Sequence, residues 1–141
     1  MRWVTRENAR VDRVACPWLI KRLIDPEAEF LYVPRDQVLA VSKRERAYSF
    51  DAEGADYGHR GDKCTFEVLI EDHNLTDPAL KRLALIVHGA DVPEDVNCTP
   101  ESAGLRSISE GTALVCPDDH LKLERLFPIY DALYAYCQSQ V

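Results

Sequence analysis

The chain has 141 residues, five cysteines and a net charge of −7. That length suits one domain with a real hydrophobic core, and 46% hydrophobic against 29% charged residues excludes a disordered chain. The acidic balance argues against a surface that grips a nucleic-acid backbone, so no direct nucleic-acid binding is expected.

The N-terminus, Met1-Arg2-Trp3-Val4-Thr5-Arg6-Glu7, has no apolar core for a signal peptide. No apolar run approaches the ~20 residues needed to span a bilayer. A soluble cytoplasmic protein without a membrane partner is therefore expected. The cysteines stand at 16, 64, 98, 116 and 137 with no CxxC pair. This argues against a zinc ribbon or a thioredoxin motif and implies reduced thiols.

In chain order, Trp3-Val4-Thr5 predicts a short strand. Residues 11–24 read as helical, with Pro17 expected at the first helical position and Cys16 near the N-cap. Glu29–Val33 is the clearest strand, and Pro34–Arg46 reads as a helix with Val38 and Val41 inward. Tyr48-Ser49-Phe50 predicts a third short strand. The order strand-helix-strand-helix-strand implies an α+β fold with a small three-stranded sheet.

Beyond residue 62 the chain reads as all helical. Phe66, Leu69, Ile70 and His73 recur at i, i+3, i+4 and i+7, with Asp62 as the expected N-cap. Asp77-Pro78 marks the next helix start, with Gly89 its expected C-cap and His88 in the last turn. Thr99-Pro100 repeats the start signal for a helix toward Val115. A final helical region starts at Asp118 or Asp119 and should kink or divide at Pro128. No repeat or linker interrupts the chain, so residues 1–141 read as one compact domain.

The chemistry-bearing stretch runs from Phe50 to Glu67. Gly54, Gly58, His59, Arg60, Gly61, Lys63 and Cys64 crowd it, and a helix follows at once. A glycine loop feeding a helix N-terminus is a natural anion site, because free N–H groups and the helix dipole point at it. Arg60 and Lys63 are the candidate oxyanion contacts. The same field would favour the thiolate of Cys64, a redox candidate, and of Cys16. Alternatively His59, Cys64 and Glu67 could hold a transition-metal ion, zinc or iron. The plain alternative is a surface loop with a structural cysteine. Of the other histidines, His73 reads as a core residue and His120 as solvent-facing, while His88 is ambiguous, since last-turn histidines often just complement the helix dipole.

Val11-Asp12-Arg13-Val14-Ala15-Cys16-Pro17-Trp18-Leu19-Ile20 resembles the opening of the C-terminal domain of ChrB-type chromate-resistance proteins. Gly58–Phe66, Ile86–Asp91, Ala103-Gly104-Leu105 and Tyr130–Tyr134 are similar to further segments of that family. The resemblance implies a role linked to chromate resistance, its longer relatives being regarded as chromate-responsive regulators. Those relatives carry an N-terminal region that would hold any DNA-binding role, whereas this chain begins at the shared domain. His88 stands where the resemblance implies an arginine. Chromate is a tetrahedral dianion and a thiol oxidant, so Arg60, Lys63 and, beside Cys16, Arg13 are the expected oxyanion ligands.

Three readings follow. The first is a sensor or accessory domain for chromate stress that binds an oxyanion or metal through the 58–64 loop. The second is a small metalloenzyme, with His59 among its ligands. The third is a protein-binding scaffold with an acidic surface. Enzymatic turnover and homo-oligomerisation stay open.

Overall fold

The computed structural model describes residues 1–141, and strand β1 (Arg2–Arg6) lies at its centre. It pairs in parallel with β2 (Glu29–Val33) on one side and with β3 (Tyr48–Ser49) on the other, giving the order β2-β1-β3. Parallel neighbours require crossover connections, and helices supply them. α1 (Asp12–Leu19), extended by a π-helical turn at Ile20–Ile24, links β1 to β2, and α2 (Val38–Glu45) links β2 to β3. The α+β architecture expected from the sequence is thus the observed one, with α3 (Thr65–Asp72), α4 (Pro78–Asp91), α5 (Ser102–Val115) and α6 (Asp119–Ser139) completing it.

Side chains alternate across β1. Trp3 joins the main core formed with α1, α3, α4 and α6, while Val4 packs with Val38, Val41 and Ala47 under α2. Both faces are therefore covered, as a parallel sheet demands. Ligand sites in such sheets lie beyond the carboxyl ends of the strands. Here those ends deliver Arg6 and the Ser49–Asp51 segment to one edge of the helical layer.

Two local expectations are corrected, and a third is narrowed. α1 does not start at Pro17 but at Asp12, and Pro17 sits inside it, buried. The missing N–H of Pro17 would orphan the carbonyl of Arg13, four residues back. The Tyr32 hydroxyl donates to that carbonyl at 2.6 Å, so a strand side chain replaces the lost backbone bond.

Gly89 is not a C-cap, because α4 runs on to Asp91. A Cβ at Gly89 would meet the Cys98 sulfur at 2.8 Å and the Ser102 side chain closer still, so the residue serves close approach of α4 and α5. Ser102 Oγ uses that approach to donate to the Ile86 carbonyl at 2.9 Å. Finally, α6 continues through Pro128 undivided. Pro128 and Glu124, whose carbonyl loses its donor, are exposed, so water can satisfy the group.

Replacing Tyr32 by Phe is expected to lower stability by about 1–3 kcal/mol, the cost of leaving a buried acceptor unpaired. Urea titration checks this: the midpoint should fall with little change in slope.

Candidate metal centre

Asp12 occupies the first turn of α1 and is 1% exposed. Its Oδ2 accepts the backbone N–H of Thr65, the first residue of α3, at 2.9 Å. A carboxylate at a helix N-terminus meets the positive end of the dipole, and this one ties α1 to α3.

Asp51 follows β3 in the left-handed region, with φ of 49°. The loop it begins folds back at once: the Asp51 N–H donates to the Tyr57 carbonyl at 2.8 Å, and Gly54 supplies a φ of 75° that a side chain would strain. The Asp51 carboxylate accepts from Thr65 Oγ1 at 2.9 Å and from Arg13 Nη1 at 3.2 Å, with Arg6 Nη2 at 3.5 Å. Asp91 arrives from the last turn of α4.

His59 joins these elements. Its Nε2 lies 3.6 Å from Asp12 Oδ2, 3.5 Å from Asp51 Oδ1 and 3.4 Å from Asp91 Oδ2. One ligand atom from each of Asp12, His59 and Asp91 falls within 4.8 Å of the others. The imidazole is 51% exposed, whereas the carboxylates are largely buried. A cleft of about 470 Å³ opens beside the cluster, bordered by Arg6, Arg35, Asp51, Gly58, His59 and Arg60.

The electrostatics follow from packing like charges away from water. Burial, then repulsion from Asp91 and Asp51, pushes the Asp12 carboxyl well above the usual range. Burial and Asp51 likewise raise Asp91. Burial also works against ionised Asp51, but His59, Arg13, Thr65 and Arg6 outweigh it and hold this carboxyl below the usual range. His59 is raised by its contact with Asp51 and by the charges of Asp51 and Asp91. The cluster carries more negative charge than its two arginines neutralise, which is the condition that draws in a cation or a proton.

The sulfur-bearing expectations resolve differently. Cys64, not Asp62, is the N-cap of α3, and Glu67 completes a capping box by accepting the Cys64 N–H at 3.0 Å. Both Cys64 and Cys16 are 0% exposed. Burial, then the charge of Asp12, raises both thiols. The expected thiolate activation is thereby reversed, since desolvation outweighs the helix-terminal field. Cys16 lies inside α1 rather than at its start.

The expected metal ligands fall into two groups. His59 clusters with the aspartates, while Cys64 and Glu67 gather with His88. Among the expected oxyanion contacts, Arg60 pairs with Glu71 at 3.0 Å and Asp72 at 2.9 Å, Lys63 pairs with Glu71, and Arg13 pairs with Asp51. His73 stays apart, its Nδ1 2.9 Å from the Leu69 carbonyl oxygen. His120 is exposed, edge-on to Tyr32.

Asp12, Asp51 and Asp91 were not among the candidate residues read from the sequence. The available signal was an aspartate beside apolar residues, as in Val11-Asp12, Phe50-Asp51-Ala52 and Ala90-Asp91-Val92.

The fold and cluster define a small α+β domain with an acidic, histidine-bearing centre at the strand ends. Residues 3–137 match the family model described as ChrB, C-terminal domain, and the chain belongs to that family. It is 37% identical over 140 residues to Protein ChrB of Cupriavidus metallidurans, covering 97% of this chain and 41% of that relative. The chain thus spans about two fifths of that relative's length. No solved structure matches it, and no helix is long and apolar enough to cross a membrane.

Iodoacetamide labelling read by mass spectrometry should modify exposed Cys98 first. Cys16 and Cys64 should react only once the protein unfolds, because their sulfurs are buried and their thiols raised.

Proposed function

We propose that this chain is a cytoplasmic domain of the chromate-stress response that binds a transition-metal ion at Asp12, Asp51, His59 and Asp91. The observation that carries the reading is the convergence of three carboxylates within 3.4–3.6 Å of His59 Nε2. A buried group of like charges is costly when empty, and a bound cation converts that repulsion into affinity. A set of carboxylate oxygens and one imidazole suits zinc or ferrous iron better than a soft ion. Thr65 and Arg13 orient the carboxylates from outside, as supporting partners do in metal sites.

The link to chromate comes from family membership and from the motifs that resemble chromate-resistance proteins. Without a cation the cluster would repel a dianion. With a cation in place, the exposed edge of His59 and the arginines of the cleft, Arg6 and Arg35, make the opening favourable for an oxyanion. Binding of the anion over the metal is then the sensing event. The net charge of −7 keeps nucleic acid out of this reading.

The second reading, a metalloenzyme, draws on the 51% exposure of His59, which leaves one side of the centre open to a substrate.

Metal analysis of the purified protein and titration with zinc or ferrous iron test the proposal. One equivalent of ion is expected at this centre, and His59→Ala or Asp12→Asn should weaken binding there by about a hundredfold or more. Arg60→Ala should bind metal as the wild type does, since its guanidinium is engaged by Glu71 and Asp72. Chromate should raise the melting temperature of metal-loaded protein and not of chelator-treated protein. Protein that takes up no ion, with or without chromate, would sink the proposal and leave the scaffold reading.

A further inference from the structure

A second group of ligand atoms lies outside the centre just described, and it contains sulfur. Cys64 and Glu67 stand at the N-cap and third position of α3, fixed relative to each other by the capping box. His88 reaches them from the last turn of α4. One ligand atom from each of Cys64, Glu67 and His88 lies within 4.8 Å of the other two. His88 Nδ1 is 2.5 Å from Glu67 Oε1, so this nitrogen faces the sulfur and carboxylate side. The other nitrogen, Nε2, is 2.6 Å from Asp95 Oδ2 in the turn that follows α4.

We infer that Cys64, Glu67 and His88 form a second metal site, for a borderline or soft divalent cation such as zinc, cobalt or cadmium. Around a tetrahedral ion the ligand atoms would stand about 3.3–3.6 Å apart. The carboxylate–imidazole contact, 2.5 Å as it stands, therefore opens by about an ångström to admit the ion. Thiolate, imidazole and carboxylate together select this class over magnesium or calcium. On binding, the Cys64 thiol proton and any proton on Nδ1 pass to solvent, and the ion takes their place.

Asp95 is the supporting half of the argument. A metal-bound histidine almost always donates its remaining N–H to a carboxylate or carbonyl, which fixes tautomer and ring orientation. Asp95 already holds Nε2 in that arrangement. His88 is 13% exposed and Glu67 22% exposed, so an ion can enter while Cys64 stays shielded. The site shares no ligand with the aspartate–His59 centre.

Cobalt(II) titration of the full chain separates the two sites, because only a thiolate ligand produces intense sulfur-to-cobalt charge transfer in the near ultraviolet. The wild type should develop that band within the first two equivalents, as the thiolate site and the aspartate centre fill. Cys64→Ser should abolish it, and His88→Gln, which retains hydrogen-bonding groups but is a poor ligand, should weaken binding by about a hundredfold or more. Asp95→Asn should keep the band but lower affinity by roughly 10- to 100-fold. His59→Ala and Cys98→Ser should keep the band. Failure of metal binding at the aspartate centre thus leaves this result intact, and the reverse also holds. A wild-type protein saturated with cobalt that shows no thiolate band would overturn the inference, as would a band that survives Cys64→Ser or is indifferent to His88→Gln.

Discussion

The hydrogen bond from the Thr65 N–H to buried Asp12 is the interaction on which the site depends. It joins the start of α1 to the start of α3, so two helix N-termini meet over one carboxylate. Their dipoles and the Thr65 amide help offset the cost of taking that charge out of water. Thr65 also spends its hydroxyl on Asp51, so one residue positions two of the three acids. Asp91 reaches the same point because α4 runs on past Gly89, a residue whose lack of a side chain lets α5 pack closely.

The sheet makes this convergence possible. Parallel strands end on the same side, so β1 and β3 deliver Arg6 and Asp51 together, and the Thr5 hydroxyl ties them through the Phe50 carbonyl at 2.6 Å. Tyr32 on β2 completes the frame by supplying the bond that Pro17 removes from α1. A strand residue thereby holds in register the helix that carries Asp12 and Arg13.

The fate of the thiols is a matter of magnitudes. A helix terminus stabilises a charge by about 0.3–1 kcal/mol, up to about 2 kcal/mol when partly buried. Full burial shifts a titratable group by as much as 3–5 pKa units, each about 1.4 kcal/mol. Burial therefore wins at Cys64 despite its place at the N-cap of α3, and Asp12 adds to it. A sulfur of this kind suits a metal that displaces its proton better than free nucleophilic attack.

Strand and helix order, the inward faces of α2 and α3, the Asp77-Pro78 start of α4 and the family were all legible in the residues, because they depend on local propensity, periodicity and short motifs. His59 stood out as a candidate for the same reason, set among glycines in a loop beside a strand end. Its partners did not, since Asp12, Asp51 and Asp91 are far apart in sequence and each reads alone as an ordinary cap or turn residue. Whether Arg60 meets a ligand or Glu71 and Asp72, and whether Cys64 faces water or the core, depends on how α3 lies against its neighbours. Local sequence determined the elements and the loop. Charge pairing and burial are properties of space between elements, and only the tertiary structure decided them.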